Sequence, residues 1–270
     1  MSLSDCEDLD VSKLAKNVLP PLLLLVAFLS TWESVVWLLK IPAITLPPPS
    51  RIALAAYKNA DELVIATGYT ALASTCGLLC SVVIGVVMAA IFSQAAIIRR
   101  SFFPYAIFLQ TVPIVAVAPL LLHWFGNGLQ TIVMIVIIIS LFPIIVNVTY
   151  GMVSVDRQLV NLFQLNRASR WQIFFKLQLP NSVPLLISAT KTSAGLAVIG
   201  AIVGEFFAGL STPLSGLGYF IMKSLEYKID AMMAAVIASA LLGNAMFTVI
   251  SFIESKILAR FGQVQSNVFQ

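Results

Sequence analysis

The chain has 270 residues, of which 59% are hydrophobic and only 10% charged, against about 25% charged in soluble domains. With a mean hydropathy of +0.97, this excludes a soluble globular domain, a disordered chain and a secreted disulfide scaffold, and it points to a membrane protein with several spans. The net charge of +4 is small, and Lys and Arg do not cluster as a nucleic-acid footprint does, so no nucleic-acid partner is expected.

The charge map divides the chain. No Asp, Glu, Lys or Arg occurs in Leu63–Ile98, in Ser101–Val155 or in Ala231–Ile253. A helical span needs about 20 apolar residues, which predicts an all-α protein with six spans: 17–39, 64–92, 103–122, 128–149, 183–208 and 231–256. The stretch Ser101–Val155 is long enough for two of them, hinged at His123-Trp124-Phe125-Gly126-Asn127-Gly128, where Gly and Asn suit a turn. Lys13, Lys16, Arg99, Arg100, Arg157, Arg167, Arg170, Lys176, Lys256 and Arg260 fall on one side of this topology. Lys40, Arg51, Lys58, Lys223 and Lys228 fall on the other. The bias toward the first side puts both termini in the cytoplasm. The first span is too long for a signal peptide and no clean small-x-small site follows it, so it is expected to stay attached. Cys6, Cys76 and Cys80 are expected to be small buried thiols; the last two lie in an apolar run with no histidine nearby.

Three segments lie outside the spans. In 41–62, Leu46-Pro47-Pro48-Pro49-Ser50 ends the first span's exit, and Ser50 is expected to cap an external helix that starts near Arg51 and closes at Asp61-Glu62. The loop 151–182 places Leu159, Leu162 and Phe163 on one helical face. Asn166-Arg167 reads as a turn with Asn tolerating a left-handed backbone. Ser169 with Gln172 forms a capping box that starts a second helix, which Leu179-Pro180 is expected to end. This is either a helix-turn-helix elbow with a basic tip or an amphipathic hairpin lying on headgroups. The segment 209–230, with Gly209, Pro213, Gly216 and Gly218, is expected to turn tightly before a short amphipathic stretch to Asp230.

Chemistry-bearing residues are few. There is one histidine, His123, read as an interfacial group beside the belt residue Trp124. No phosphate-binding Gly-x-x-x-x-Gly-Lys-Ser/Thr loop and no catalytic cluster occur, so no enzyme, no metal site and no cofactor of its own are expected. Glu33, Lys191 and Glu205 are ionisable residues within spans and should face protein or water, Lys191 having the option of snorkelling. Gly200, Gly204 and Ala208, with Ala197 and Ala201 beside them, form a small-residue stripe. Such a stripe suits close helix packing, a dimer seam or the wall of a solute pathway. Pro104, Pro113 and Pro119 make the third span unsuited to a plain lipid-facing helix.

The stretch Leu159-Val-Asn-Leu-Phe-Gln-Leu-Asn-Arg-Ala-Ser-Arg-Trp-Gln-Ile-Phe-Phe-Lys-Leu-Gln-Leu-Pro180 resembles the Glu-Ala-Ala loop of bacterial ABC importer permeases. Leu46-Pro-Pro-Pro-Ser50, Gln110-Thr-Val-Pro-Ile-Val-Ala-Val-Ala-Pro-Leu with Trp124-Phe-Gly126, Ala201-Ile-Val-Gly-Glu205 and Gly216-Leu-Gly-Tyr219 are similar to other parts of the same family. The likeness runs from Trp32 to about Arg260. It is greatest to the nitrate/sulfonate/taurine/bicarbonate group, which includes permeases for thiamine-precursor pyrimidines. Asn161-Leu162-Phe163 stands where Glu-Ala-Ala is usual, Arg167 where Gly is usual, and Ala73 where a basic residue is expected. Leu-Phe in place of Ala-Ala is similar to permeases assigned to pyrimidine or flavin-type vitamins.

The resemblance implies a type I ABC importer permease fold in a bacterial inner membrane, with a cytoplasmic tail 1–16, a permease domain 17–260 and a second tail 261–270. The domain would carry the external helix near 50–62 and the coupling loop 151–182. It implies a paired second permease copy, two ATP-binding subunits that hold the ATP and Mg, and an extracytoplasmic solute-binding protein. The coupling residues would be Asn161, Leu162, Phe163, Arg167, Ala168, Ser169, Arg170 and Trp171. The expected pathway residues are Gln110, Thr111, Pro113, Lys191, Gly200, Gly204 and Glu205. The competing expectation is an ATP-independent secondary transporter or channel, which would need ion-coordinating carboxylates or broken helices near the midplane.

Overall fold

The computed structural model describes residues 3–208, 216–225 and 228–268, with side chains from Leu19 to Ile257 apart from 106 and 109. In chain order the helices are α1 (Leu3–Leu38), α2 (Pro49–Lys58), α3 (Ala60–Gln94), α4 (Ala96–Thr111), α5 (Ile114–Phe125), α6 (Leu129–Val153), α7 (Arg157–Leu165) and α8 (Arg170–Ile173). A π-helical turn (Phe174–Gln178), α9 (Leu179–Ala208), α10 (Leu217–Leu225) and α11 (Ile229–Val268) follow. The turns expected at Gly209 and Pro213 lie outside the described residues, as do the side chains of Cys6, Lys13, Lys16 and Arg260.

Among the described residues five helices are long and apolar enough to cross a membrane: Leu19–Leu38, Ala60–Gln94, Leu129–Val153, Arg170–Ala208 and Ile229–Ile257. The expected third span, 103–122, is instead broken into α4 and α5. Pro113 sits between them in extended geometry, φ −67° and ψ 111°. Proline cannot donate to the helical ladder and disfavours helical angles for the residue before it. Pro104 and Pro119 stay inside their helices. The hinge to α6 falls at Gly126, whose φ of 82° a side-chain-bearing residue rarely adopts. Its N–H closes α5 on the Leu122 carbonyl and its own carbonyl accepts from Thr131 Oγ1.

The chain forms two compact units, one running up to Ala60 and including 224–234, the other covering 61–223 and 235 onward. In the first, the carboxylate of Glu33 on α1 accepts hydrogen bonds from the Ser50 backbone N–H (3.1 Å) and hydroxyl (2.7 Å). Ser50 therefore does not cap α2 with its side chain; Pro49 opens the helix, and Glu33 satisfies an N–H that the first turn leaves free. Nor does α2 reach Asp61-Glu62. Asn59 ends it by donating from Nδ2 to the Ala55 carbonyl, and both acids sit in the first turn of α3, where the helix dipole favours them.

In the second unit α6 is the central helix, with Ile135, Val136, Ile144, Val148 and Met152 fully buried. Glycines let its neighbours approach. A Cβ at Gly200 or Gly204 of α9 would meet α6 at 3.1 Å from Val136 Cα and 3.2 Å from Ile132 Cγ2. The stripe that also includes Ala197 and Ala201 thus packs α9 on α6 within one chain. Gly85 of α3 meets Ile144 in the same way. Outward-facing Leu79, Val83, Val87 and Ile199 are exposed, as lipid-facing side chains must be. The cysteines depart from expectation: Cys80 is exposed and Cys76 half-buried, since α3 turns that face away from α6.

Candidate functional site

The loop after α6 folds as an elbow. Asp156 caps α7 by accepting from the Gln158 N–H at 2.8 Å. At its far end the Ala168 N–H donates to the Phe163 carbonyl (3.0 Å) and the Arg167 N–H to the Gln164 carbonyl (2.9 Å). These two bonds are a Schellman closure, which requires a left-handed residue just past the helix. That residue is Arg167, φ 54°, and not Asn166, whose φ is −81°. The register of the closure, rather than asparagine's tolerance, chooses the position, which accounts for glycine being usual there. We expect Arg167→Gly to stabilise the elbow by about 1 kcal/mol, since a left-handed non-glycine residue costs roughly that; slower amide exchange across 157–173 would show it.

The second helix opens with the expected capping box: Ser169 Oγ accepts from the Gln172 N–H (3.3 Å) and Gln172 Oε1 from the Ser169 N–H (2.8 Å). Pro180 does not end this helix. The π-helical turn Phe174–Gln178 shifts the hydrogen-bond register, Pro180 falls in the first turn of α9, and the helix runs on to Ala208.

The elbow's root is anchored and its tip is open. Phe174 is buried in the core cluster, Gln94 Nε2 donates to Gln178 Oε1, and Asn181 Nδ2 donates to the Gly151 carbonyl at 2.7 Å. At the tip Asn161, Leu162, Arg167, Ser169, Arg170 and Trp171 are exposed and Phe163 and Ala168 half-buried. Trp171, 71% exposed, stacks on Phe175 at 6.0 Å and meets the Phe174 ring edge-on at 6.3 Å. With Ala90, Ile91, Gln94 and Arg170 it borders a groove of about 300 Å³. Exposed apolar side chains beside Arg167 and Arg170 on a braced root suit contact with a partner surface. All eight expected coupling residues share this tip.

The expected pathway residues do not converge. Gln110 and Thr111 are exposed at the end of α4, beside the break at Pro113. Gly200 and Gly204 are taken up by the α6 seam. Lys191 and Glu205 lie 14 positions apart in number on α9, roughly 21 Å along the axis. Lys191 does not snorkel. Its Nζ pairs with Glu254 Oε2 of α11 and lies 5.4 Å from the centroid of the Phe247 ring. Glu254 was itself inside the expected 231–256 span, and its charge there was the overlooked signal. Glu205 is 1% exposed; its Oε2 accepts from Thr70 Oγ1 (3.0 Å) and the Gly218 N–H (2.8 Å). Nothing in the sequence near Thr70 marked it. Among the described residues no three His, Cys, Asp or Glu side chains are placed to hold a metal.

The family described as "Binding-protein-dependent transport system inner membrane component" matches residues 81–260. The formylaminopyrimidine transport permease ThiX of Halalkalibacterium halodurans is 28% identical over 248 residues, 91% of this chain and 97% of that one. The riboflavin transport system permease RibX of Chloroflexus aurantiacus is 39% identical over 100 residues, 37% of each chain. The fold is shared with a bacterial ABC transporter involved in alginate import, TM-score 0.62 at 16% identity, covering 91% of this chain and 99% of that one. The family match over most of the chain and the shared fold agree: the protein belongs to the inner-membrane components of binding-protein-dependent transport systems, as a multi-pass permease subunit of the type I ABC importer fold.

Proposed function

We propose that this chain is one half of the permease of an ATP-driven importer for a small heterocyclic solute of the pyrimidine or flavin class. It would pair with a second copy of itself, dock two ATP-binding subunits and receive solute from an extracytoplasmic binding protein. The observation that carries this reading is the elbow: a capped, braced tip of exposed Leu162, Arg167, Arg170 and Trp171, the last two opening the helix that runs on across the membrane. A short rigid contact of this kind passes ATPase closure into the spans as rigid-body motion. ATP and Mg would belong to the partner, and this chain would supply no catalytic group. The choice of solute class rests on the similarity to the formylaminopyrimidine permease along nearly its whole length.

In this reading both termini, the tails 1–16 and 261–270 and the elbow face the cytoplasm, while α2 and α10 face outward. Gln110, Thr111 and Pro113 at the α4–α5 break, with Lys191, would line the route of the solute. Trp171→Asp should abolish co-purification with the ATPase and ATP-dependent uptake while leaving the permease folded. Retention of both would overturn the docking assignment. The α4–α5 break also suits an ATP-independent transporter; uptake by the purified chain in ATP-free liposomes would favour that reading instead.

A further inference from the structure

We propose that Glu205 is a positioning residue that makes α10 follow α9, so that displacement of the elbow reaches the outer end of the permease. The transmission step rests on the importer reading; the clamp itself does not.

The helix from Arg170 to Ala208 runs through its π-helical turn at Phe174–Gln178 without an intervening loop. Its 39 residues span roughly 58 Å. The elbow's Trp171 sits at one end and Glu205 one turn from the other. The far end of the helix carries a neighbouring helix along only if something joins the two there, and the joint is specific. Thr70 Oγ1 of α3 donates to Glu205 Oε2 and accepts from the Leu217 N–H at 2.9 Å. The Gly218 N–H donates to the same Oε2. Glu205 therefore caps the opening turn of α10 with a carboxylate, where free N–H groups and the helix dipole both favour negative charge.

The fit leaves no room for alternatives. A Cβ at Gly216 would overlap the Glu205 carboxylate, and one at Gly218 would come within 2.7 Å of Glu205 Cβ. Glycine at both positions lets α10 seat directly on the carboxylate. Thr70 and Leu217 are fully buried, so the junction is closed to solvent. Among the described residues no cation pairs with Glu205, and Oε1 has no hydrogen-bond partner. An ordinary structural ion pair does not explain the group, whereas bonds running to two separate helices do.

The test replaces Cys6, Cys76 and Cys80 with serine in the full permease in nanodiscs. Spin labels at Ile199 of α9 and Met222 of α10, both exposed, report the α9–α10 distance without any partner. The distribution should be narrow in the parent, broad in Glu205→Ala and narrow again in Glu205→Gln, whose amide oxygen still accepts both bonds. Adding Thr70→Val to Glu205→Ala should broaden it further, since the Leu217 N–H then loses its acceptor on α3 as well. A narrow distribution in Glu205→Ala overturns the clamp. A Glu205→Gln distribution as broad as that of Glu205→Ala overturns it too, since charge rather than hydrogen bonding would then hold α10.

The transmission step is read separately, with the co-expressed ATPase bound. The rate at which a membrane-impermeant maleimide labels a cysteine at position 222 should change on adding MgATP and vanadate in the parent and in Glu205→Gln. It should lose that response in Glu205→Ala. A response in Glu205→Ala equal to the parent's overturns the transmission step. No response in the parent overturns the importer reading itself, while the distance measurement still judges the clamp.

Discussion

Gly151→Val is expected to lower the yield of stably folded permease sharply. The Cβ added at position 151 would lie 2.7 Å from Ser182 Cα and 3.0 Å from its Cβ. The nearer of these is backbone, so no rotamer change makes room, and α6 and α9 must part. Parting them strips Asn181 of the Gly151 carbonyl it holds at 2.7 Å, and with it a tie between the core and the root of the elbow. Overpacking alone costs about 1–3 kcal/mol, and a lost hydrogen bond adds roughly 1 kcal/mol. Against a total stability of about 5–15 kcal/mol this is a large fraction. Membrane-fraction yield and monodispersity after detergent extraction measure the loss. Gly68→Ala and Gly243→Ala are the controls: both glycines are helical, a Cβ at either meets nothing within 4 Å, and each change should be tolerated. A Gly151→Val protein as abundant and as monodisperse as these controls would show that the α6–α9 seam is looser than its geometry says.

That seam also shows why some of the structure was legible in the sequence and some was not. The spans were legible because lipid forbids unpaired charge, so charge-free runs mark them without knowledge of any neighbour. The capping box at Ser169 and Gln172 was legible because both partners lie within one turn. The break in the third span was not. Pro104, Pro113 and Pro119 look alike in sequence, and only Pro113 interrupts its helix. The ending expected at Pro180 failed because the π-helical turn before it absorbs the register change. The left-handed residue was misplaced by one position because hydrogen-bond register, not residue preference, sets where a Schellman closure falls. Within the candidate site, the elbow residues were within reach because they are contiguous in the chain. Glu254 beside Lys191 and Thr70 beside Glu205 lie 63 and 135 residues away from their partners. Periodicity carries no record of such pairings. The sequence accordingly leaves Lys191 between snorkelling and the solute route, whereas in the structure α11 holds it.

Lys191→Met is expected to destabilise the permease more than Glu254→Gln, and Lys191→Met with Glu254→Met together less than either. The order follows from what each change leaves behind. Lys191 and Glu254 face each other across α9 and α11 with side chains 19% and 23% exposed. Removing the lysine leaves a carboxylate in the apolar stretch Ile229–Ile257 with no cation, and with the negative face of Phe247 nearby. Breaking one side of a buried pair costs about 3–5 kcal/mol, and the partial exposure here puts the effect near 3 kcal/mol. Glu254→Gln keeps an oxygen for the ammonium to bond, and the Phe247 ring 5.4 Å away still receives the charge. The double substitution removes both desolvation penalties at once and replaces the pair with apolar volume that suits its surroundings. A double-mutant cycle of Lys191→Met, Glu254→Met and the two together, read on thermal or denaturant unfolding in one fixed detergent, gives the coupling directly. Equal losses for the two single changes would mean that Phe247 contributes nothing. A double variant as unstable as the sum of both would mean that the helices are not joined through this pair, and that each charge is held by something else.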